Sequence, residues 1–198
     1  AHHVALETAP DAVRLDCPDW LFAHFQRSLG AQTDDVLERL RTRAPVFLRV
    51  NSAKTTAQEA IQALAHDDIE AVPHSLSPTA LEITRNPRRL RAGQAYQTGM
   101  VELQDVASQA ITDVFAAHIS KGNVLDYCAG GGGKALALAA KGFLVNAHDA
   151  FPARMVDLPE RAKRAGTPIK LQDTPVAPYT AVLCDAPCSG SGAWRRQP

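Results

Sequence analysis

A cluster of glycines between an apolar run and a row of helix-forming residues constrains this chain more than any other feature. Residues 124–129 read Val-Leu-Asp-Tyr-Cys-Ala, four glycines occupy positions 130–133, and residues 134–140 read Lys-Ala-Leu-Ala-Leu-Ala-Ala. This order predicts a buried strand, a tight turn and a helix. Glycines let the backbone approach a ligand, and the first N–H groups of a helix have no partners. We therefore expect an anionic or dipolar ligand at the turn.

The cluster matches neither of the two common phosphate-binding loops. A P-loop needs Ser or Thr after its lysine, and Ala135 stands there. The dinucleotide fingerprint spaces its glycines as G-x-G-x-x-G, which four consecutive glycines match poorly. A glycine-rich turn in an ordinary α/β domain is the alternative. Asp149 favours a functional site, because it ends the next apolar run and an acid at a strand's carboxyl end accepts hydrogen bonds from ribose hydroxyls.

A second polar stretch, Cys-Asp-Ala-Pro-Cys-Ser-Gly at residues 184–190, follows the apolar residues 181–183. We expect its side chains at the carboxyl edge of the same sheet, where open α/β sheets bind their ligands. A surface turn is the alternative, but a free cysteine such as Cys188 is more often buried than placed in a turn. Ser189 has no histidine at a recognisable spacing, which argues against a serine hydrolase.

The spacing of apolar residues predicts helices, then a small α+β module, then alternating strands and helices. Helices are expected within 11–43, and the aromatic residues Trp20, Phe22 and Phe25 are assigned to their core rather than to base stacking. The module contains a strand at 46–51, a helix at 56–66 and a strand at 81–84. Beyond it we expect helices at 104–118 and 153–165 and strands at 143–148, 169–171 and 180–183. This alternation predicts a parallel sheet with crossover helices.

Composition excludes several classes of protein. Lys plus Arg and Asp plus Glu number 21 each, so a nucleic-acid partner must be held by a local basic patch. No apolar run is long enough to span a bilayer and no signal peptide is evident, so we expect a cytoplasmic protein without a membrane partner. The four cysteines form neither a disulfide framework nor a zinc-ligand pattern, and no metal is expected.

The densest basic segment lies between the two halves, at residues 86–93, and Arg85 directly precedes it. Its arginines are either phosphate-binding groups or part of a solvated loop, and the sequence leaves both interpretations open. The four arginines concerned are Arg85, Arg88, Arg89 and Arg91.

The glycine cluster and the second polar stretch together resemble the RNA (cytosine-5) methyltransferase family, in its ribosomal small-subunit methyltransferase B branch (NOL/NOP2/Sun-like). Residues 126–135 are similar to the family motif Asp-x-Cys-Ala-Ala-Pro-Gly-Gly-Lys-Thr, and residues 185–190 match Asp-Ala-Pro-Cys-Ser-Gly throughout. Leu-Arg-Val-Asn at 48–51, Gln-Asp-x-x-Ser-Gln at 104–109 and Arg-Arg-x-Pro at 195–198 also fit. The resemblance extends from about Trp20 onward.

The resemblance implies an α/β fold, with a Rossmann-like S-adenosylmethionine methyltransferase sheet preceded by amino-terminal helices and a small α+β RNA-binding-type module. The expected domains are residues 1–93 and 94–198. The family sheet has seven strands, so the sheet is expected to be incomplete here and to leave an apolar edge near Val182.

The resemblance also assigns roles to residues. The implied cofactor is S-adenosyl-L-methionine, with ribose held by Asp149 and adenine by Asp173. The full implied cofactor set is Cys128, Ala129, Gly130, Gly131, Gly132, Gly133, Lys134, Asp149, Arg154, Asp173 and Asp185. The implied RNA-binding residues are Arg88, Arg89, Arg91, Arg195 and Arg196.

The implied reaction is methyl transfer to C5 of a cytosine in RNA, with ribosomal RNA favoured over transfer RNA and a monomer at full length. A cysteine thiolate adds to C6 so that C5 can attack the methyl group, and the base must be unstacked. The catalytic residues implied here are Cys188, which assists release of the product, and Asp185. The nucleophile is expected in a Thr-Cys motif beyond Pro198.

The sequence departs from the family pattern in the cofactor loop. Gly130 and Gly131 replace Ala-Pro, and Ala135 replaces Thr, so the loop is expected to be more flexible and to bind cofactor more weakly. Two alternatives remain: an inert RNA-binding or assembly factor that keeps the fold, and a methyltransferase for small molecules or proteins. The thiol of the Asp-Ala-Pro-Cys motif argues against the second, because amine methylation needs no covalent cysteine.

Overall fold

The computed structural model describes residues 9–190 and Arg195. The chain forms two compact units, one made of residues 1–44 with 188–198 and the other of residues 45–187. The predicted domain limits, 1–93 and 94–198, remain a prediction. The predicted Arg196 site lies outside the described residues.

The first unit contains three helices, α1 (Asp11–Arg14), α2 (Asp19–Leu29) and α3 (Thr33–Arg41). Leu15, Cys17 and Leu37 form its core, and Phe22 and Phe25 pack against them as predicted. The core assignment of Trp20 is wrong, because this side chain is 69% exposed. At about 100° per residue, Trp20 points about 200° away from Phe22 and so leaves the apolar stripe of α2.

The second unit begins with an antiparallel sheet. Its strands are β1 (Val46–Val50), β2 (Glu70–Pro73), β3 (Ala80–Arg85) and β4 (Val101–Leu103), in the order β2-β3-β1-β4. Helices α4 (Ala57–His66) and α5 (Gln94–Gln97) belong to this part, as does the 3-10 turn Pro87–Ala92. Leu48, Leu64 and Leu81 are fully buried in its core. The sequence did not predict β2 and β4, which are four and three residues long and too short to show a periodicity.

The predicted parallel sheet is confirmed in the rest of this unit. Its strands are β5 (Asn123–Asp126), β6 (Leu144–Ala147), β7 (Ile169–Leu171) and β8 (Ala181–Leu183), in the order β7-β6-β5-β8. Helices α6 (Val106–Ala117), α7 (Gly133–Ala140) and α8 (Leu158–Ala165) accompany it. The predicted helix 153–165 is instead a 3-10 turn, Pro152–Met155, followed by α8. Val124, Leu136, Leu138 and Leu158 are fully buried in the core.

The strand order creates a crevice at the carboxyl edge of the parallel sheet. From β5 the chain proceeds to β6 and β7 on one side and then returns to place β8 on the other side of β5. The direction in which strands are added therefore reverses between β5 and β8. Open α/β sheets bind ligands at such a switch point, outside the carboxyl ends of the strands.

None of the helices in the described residues is long and apolar enough to cross a membrane. Within the same residues, no group of three or more His, Cys, Asp or Glu side chains is placed to hold a metal ion.

Candidate functional site

The four parallel strands bring most of the predicted cofactor residues to one edge of the sheet. The glycine loop follows β5, Asp149 follows β6, Asp173 follows β7 and Asp185 follows β8. These residues are up to about 60 positions apart in sequence, and strand pairing alone places their backbone segments side by side.

The glycine loop has a backbone that side chains would disturb at specific positions. Gly132 has a φ of +77° and is the N-cap of α7, and a Cβ there would lie 2.2 Å from Leu158 Cδ1. Gly130 also has a positive φ, +51°, but open space surrounds its Cα hydrogens. At Gly131 only the packing restricts a side chain, since a Cβ there would lie 2.9 Å from Arg161 Nη1. Only Gly132 is therefore fixed both by its backbone conformation and by its packing.

Asp149 holds the glycine loop. Its side chain is buried, and its carboxylate accepts hydrogen bonds at 2.9 Å from the Gly130 N–H and at 2.9 Å from the Phe151 N–H. The Phe151 N–H is the main reason that the pKa of Asp149 is lowered, followed by the opposing effect of burial and then by the Gly130 N–H. Asp149 is therefore a fixed negative charge, and each of its oxygens retains a lone pair for a ligand hydroxyl.

Asp126, at the end of β5, is a buried carboxyl group whose two oxygens lack an ordinary hydrogen-bond partner among the described residues. The residue is 1% exposed. Burial raises the pKa of Asp126 to about 7, against the effects of the Lys134 charge and the Ala135 N–H. Burying an unpaired polar group costs free energy, so its persistence at this edge indicates a functional constraint.

A buried amide donor lies close to this carboxyl group. Gln104 Nε2 has no hydrogen-bond partner in the described part of the chain, although Gln104 Oε1 accepts a bond from Arg49 Nε at 2.6 Å. Both Gln104 and Asp126 line a cavity of about 120 Å³. Its other lining residues are Ser108, Cys128, Ala129, Gly133, Lys134 and Asp185. The cavity thus offers an unused donor and two unused acceptors beside the glycine loop.

Lys134 and Asp185 connect the two sides of the crevice. Lys134 Nζ lies 2.5 Å from Asp185 Oδ2, and the two side chains are 13% and 56% exposed. Lys134 lies in the first turn of α7, and Asp185 follows β8. The ion pair therefore joins the motif after β5 to the motif after β8.

The Cys128 thiol is not activated. Cys128 Sγ lies 3.9 Å from Cys184 Sγ, and burial, together with the neighbouring thiol, raises the pKa of Cys128. A thiol with a raised pKa stays protonated and is a poor nucleophile. The predicted catalytic Cys188 is exposed and belongs to the unit made of residues 1–44 and 188–198.

Six predicted cofactor residues do not line the cavity: Gly130, Gly131, Gly132, Asp149, Arg154 and Asp173. Of the three outside the glycine loop, Asp149 binds the loop at Gly130, and Arg154 and Asp173 remain. Arg154 Nη1 lies 4.0 Å from Asp149 Oδ1, and its guanidinium stacks over the Phe151 ring at 4.9 Å. Asp173 is exposed after β7, two strands from β5. Their positions lie toward the β6 and β7 side of the crevice.

The predicted RNA-binding arginines differ in how they are engaged. Arg85 pairs with Glu70 at 2.9 Å and Arg89 with Asp68 at 3.7 Å. Arg88 and Arg91 are exposed and form no ion pair with another described residue. In the other unit, the Arg195 guanidinium donates to the Thr42 hydroxyl at 2.7 Å and to the Arg43 carbonyl at 3.2 Å.

Sequence reasoning missed three residues that contact the site, Gln104, Asp126 and Arg161. Gln104 begins the family motif at 104–109, and Asp126 begins the separate motif at 126–135. These two motifs are the sequence signals that could have identified them. Arg161 of α8 donates a hydrogen bond to the Gly131 carbonyl, 30 residues away in sequence. No local pattern marks this arginine, because the contact exists only after α8 has packed beside the loop.

Comparison with known proteins agrees with this architecture. Residues 17–88 match the family described as Methyltr_RsmF/B-like, ferredoxin-like domain. The chain is 30% identical over 203 aligned positions to ribosomal RNA small subunit methyltransferase B of Citrobacter koseri, covering 97% of this chain and 47% of that protein. The chain therefore spans about half the length of this curated relative.

Solved structures share the fold. The crystal structure titled PH0851 superposes with a TM-score of 0.83 at 28% identity, over 97% of this chain and 46% of that one. NSun6 from Pyrococcus horikoshii, solved with SFG, superposes with a TM-score of 0.72 at 15% identity, over 86% of this chain and 71% of that one.

The fold is that of Rossmann-like methyltransferases, with an amino-terminal ferredoxin-like domain. Residues 17–88 match the RsmF/B-like ferredoxin-like domain and the chain is similar to the ribosomal small-subunit methyltransferase B, which confirms the predicted resemblance.

Proposed function

We propose that this chain is the cofactor-binding part of an S-adenosylmethionine-dependent enzyme that methylates C5 of a cytosine in RNA, with ribosomal RNA as the favoured substrate. The observation that carries the proposal is the glycine loop at the switch point, held by Asp149 and placed beside the unpartnered polar atoms of Gln104 and Asp126. Relatives named as ribosomal RNA methyltransferases support the choice of substrate.

The residues of the crevice fit this cofactor. S-adenosylmethionine carries an ammonium, a carboxylate and ribose hydroxyls. The Gln104 amide suits the carboxylate, the Asp126 oxygens suit the ammonium, and Asp149 has lone pairs left for the hydroxyls. The absence of a side chain at Gly130 leaves room for close approach. When bound, the cofactor supplies an electrophilic methyl group.

Asp126 contributes in two ways within this proposal. With a pKa of about 7 it is partly protonated near neutral pH. A bound cation would favour its ionised form, so cofactor binding is expected to release a proton from this group. The Lys134–Asp185 pair lines the same cavity, and its role in this proposal is to hold Asp185 beside the cofactor and the base.

The covalent step belongs to the proposal as well. Cytosine C5 is a poor nucleophile until a thiolate has added to C6, and that thiol follows Pro198 in the order of family motifs. The role left for Cys188 is in expelling the enzyme thiol after the C5 proton has been removed. In the full-length protein, Cys188→Ala is expected to accumulate a covalent protein–RNA adduct, visible as a slower band on a denaturing gel.

RNA binding is proposed for the exposed arginines of the segment 87–92. Arg88 and Arg91 have no carboxylate partner among the described residues, so their charges are available to phosphates. Arg85 and Arg89 would first have to leave Glu70 and Asp68. The proposed patch therefore consists of Arg88 and Arg91, with Arg89 at its margin.

Calorimetric titration of the chain with S-adenosylmethionine tests the cofactor assignment. We expect one-to-one binding, weakened about tenfold or more in Asp149→Asn, because the hydrogen bonds to a charged acceptor that hold the loop are lost. Glu160→Gln removes an exposed carboxylate from α8 and is the matched control, expected to bind as the wild type does. Circular dichroism verifies folding of all three proteins. A folded wild type that does not bind, or equal affinities for all three, would contradict the assignment.

A further inference from the structure

Arg161 lies between the glycine loop and the antiparallel sheet, and it contacts both. Its Nη1 donates to the Gly131 carbonyl, and its Nη2 lies 3.5 Å from Glu102 Oε1 on β4. We infer that Arg161 is a positioning residue that fixes the glycine loop to the antiparallel sheet and thereby sets the affinity for the cofactor. The inference deepens the proposed function and rests on it for the identity of the ligand.

The anchor on the antiparallel sheet is rigid. The Glu102 side chain is 7% exposed, and its Oε2 lies 2.6 Å from Arg164 Nη2. Its Oε1 also accepts a hydrogen bond from the Leu103 N–H at 3.2 Å. Glu102 lies directly opposite Arg49 in the pairing of β4 with β1. Because these contacts fix the carboxylate, Arg161 is held by a group that cannot follow movements of the loop.

Positive charge is in excess around this carboxylate. Burial lowers the pKa of Arg49 to about 10, with Glu102 acting against this shift and Arg161 adding to it. Arg164 is stacked over the Tyr96 ring at 4.2 Å. Glu102 thus pairs with two guanidinium groups, those of Arg161 and Arg164, and the Gly131 carbonyl is a further acceptor for Arg161. Hydrogen bonds from a charged donor are stronger than those between neutral groups, so the bond from Arg161 to the Gly131 carbonyl restrains the loop more than a neutral bond would.

Gly131 is shaped for this contact. A Cβ at position 131 would lie 2.9 Å from Arg161 Nη1, closer than carbon atoms normally come to a nitrogen. The resembled family motif has proline at this position, and here the residue is glycine. Loss of the side chain leaves room for the guanidinium beside the loop. Arg161 therefore replaces, by a long-range contact, part of the restraint that a proline would supply within the loop.

Arg164 provides a matched control. It follows Arg161 by three residues on α8 and pairs with the same Glu102. Its second contact is the Tyr96 ring rather than the glycine loop. Each alanine variant removes one guanidinium from the same carboxylate. If the ion pairs only stabilise the fold, Arg161→Ala and Arg164→Ala should behave alike.

The experiment measures three properties of the wild-type chain, Arg161→Ala, Arg161→Lys and Arg164→Ala. They are the dissociation constant for S-adenosylmethionine, the hydrogen-exchange rates of peptides covering 128–134 without cofactor, and the urea midpoint. Arg161→Ala is expected to weaken binding about tenfold and to speed exchange of the loop amides by a similar factor. Arg161→Lys should recover part of both losses, since it keeps the charge but only one donor position.

Arg164→Ala is expected to lower the urea midpoint while leaving cofactor affinity and loop exchange within about twofold of the wild type, because the Leu103 N–H still holds Glu102 Oε1, the oxygen that Arg161 contacts. Equal effects of Arg161→Ala and Arg164→Ala on loop exchange would overturn the inference. So would an Arg161→Ala variant that changes only the urea midpoint. If the wild type fails to bind S-adenosylmethionine, the proposed function fails, but the loop exchange still decides whether Arg161 positions the loop.

A double-mutant cycle of Gly131→Ala and Arg161→Ala tests independently whether the two residues are in contact. Gly131→Ala should speed loop exchange in the wild type, because the new methyl group displaces the Arg161 guanidinium. In the Arg161→Ala background the same substitution has no guanidinium to displace, and its effect should be close to zero. Additive effects would show that the two residues act separately and would contradict the inference.

Discussion

The two sheets of the second unit differ in how they treat buried polar groups. Between residues 45 and 103, the buried side-chain nitrogen and oxygen atoms that the structure describes all have partners. Every described exception lies between residues 104 and 167: Gln104 Nε2, Asp113 Oδ2, Asp126 Oδ1 and Oδ2, Arg164 Nε and Thr167 Oγ1. Because unsatisfied buried groups cost stability, they persist mainly where a ligand or a function requires them. The antiparallel sheet is built for stability, and the parallel sheet carries the site.

The strongest way to break this contrast is to damage the core of the antiparallel sheet. Leu48 is fully buried, and Leu48→Ala is expected to lower the free energy of unfolding by about 3 kcal/mol. Urea unfolding measures this loss. Under conditions where the variant is still folded, its dissociation constant for S-adenosylmethionine should match that of the wild type. A variant that keeps its stability would show that this sheet is less well packed than described.

The glycine loop sharpens the contrast, because two glycines of the same loop should respond differently. Gly132→Ala combines a positive φ with a Cβ placed 2.2 Å from Leu158 Cδ1, and should cost about 2 to 3 kcal/mol. Gly130→Ala shares the positive φ but has nothing within 4 Å, so about 1 kcal/mol is expected. Thermal or urea unfolding of both variants gives the comparison. Equal losses would mean that backbone strain alone decides.

Two carboxylates at the same edge should give opposite dependences of stability on pH. The pKa of Asp126 is raised from 3.8 to about 7. The unfolded chain therefore loses this proton first, and stability falls as pH rises from about 4 to 7. Asp126→Asn should remove that fall, which the shift sets at about 4 kcal/mol between pH 4 and pH 8. Unfolding at pH 4 and pH 8 measures it.

Asp149 supplies the matched opposite, because its pKa is lowered, mainly by the Phe151 N–H. Its contribution is present above its unfolded pKa and is lost as pH falls through the lower folded value. Asp149→Asn should therefore cost stability at pH 5 and at pH 8 alike. If Asp126→Asn had the same effect at both values, Asp126 would not be the buried acid that its surroundings indicate.

RNA binding tests the antiparallel half directly. Arg88→Ala with Arg91→Ala is expected to lower the slope of log binding constant against log salt by about 1.4 on single-stranded RNA, since two phosphate contacts are lost. The control pair is Arg85→Ala with Arg89→Ala, whose charges are already engaged by Glu70 and Asp68. Filter binding at several salt concentrations gives both slopes. An unchanged slope in the first pair would remove those arginines from the interface.

The smallest effect is expected at position 131. Proline there restricts the unfolded chain, so Gly131→Pro should tighten cofactor binding about fivefold in the Arg161→Ala background. In the wild type the gain should be smaller, because the new side chain meets Arg161 Nη1. Calorimetry on the two single variants and the double variant decides. Equal gains in both backgrounds would argue against a contact between the two positions.

Much of the site could be predicted from the sequence, because its chemistry lies in short motifs directly after apolar strands. The glycine loop, Asp149 and Asp185 were all placed at the correct sheet edge. The strands β2 and β4 were missed because three or four residues carry no measurable period. Gln104 and Arg161 reach the site through contacts with residues far away in sequence, such as Arg49, Glu102 and Gly131. Such contacts depend on how complete elements pack, and no local pattern encodes them.

The pairing of β4 has a consequence for anyone who exchanges modules between related enzymes. β4 closes the antiparallel sheet beside β1, yet it lies beyond residue 88, where the family match ends. A fragment cut at 88 or 93 would leave β1 as an open edge and expose the buried Arg49. Asn51 also donates to the Gly99 and Ala165 carbonyls, at 2.9 and 2.8 Å. A graft that is to remain folded therefore has to carry residues 94–103 and a helix able to supply the Ala165 carbonyl.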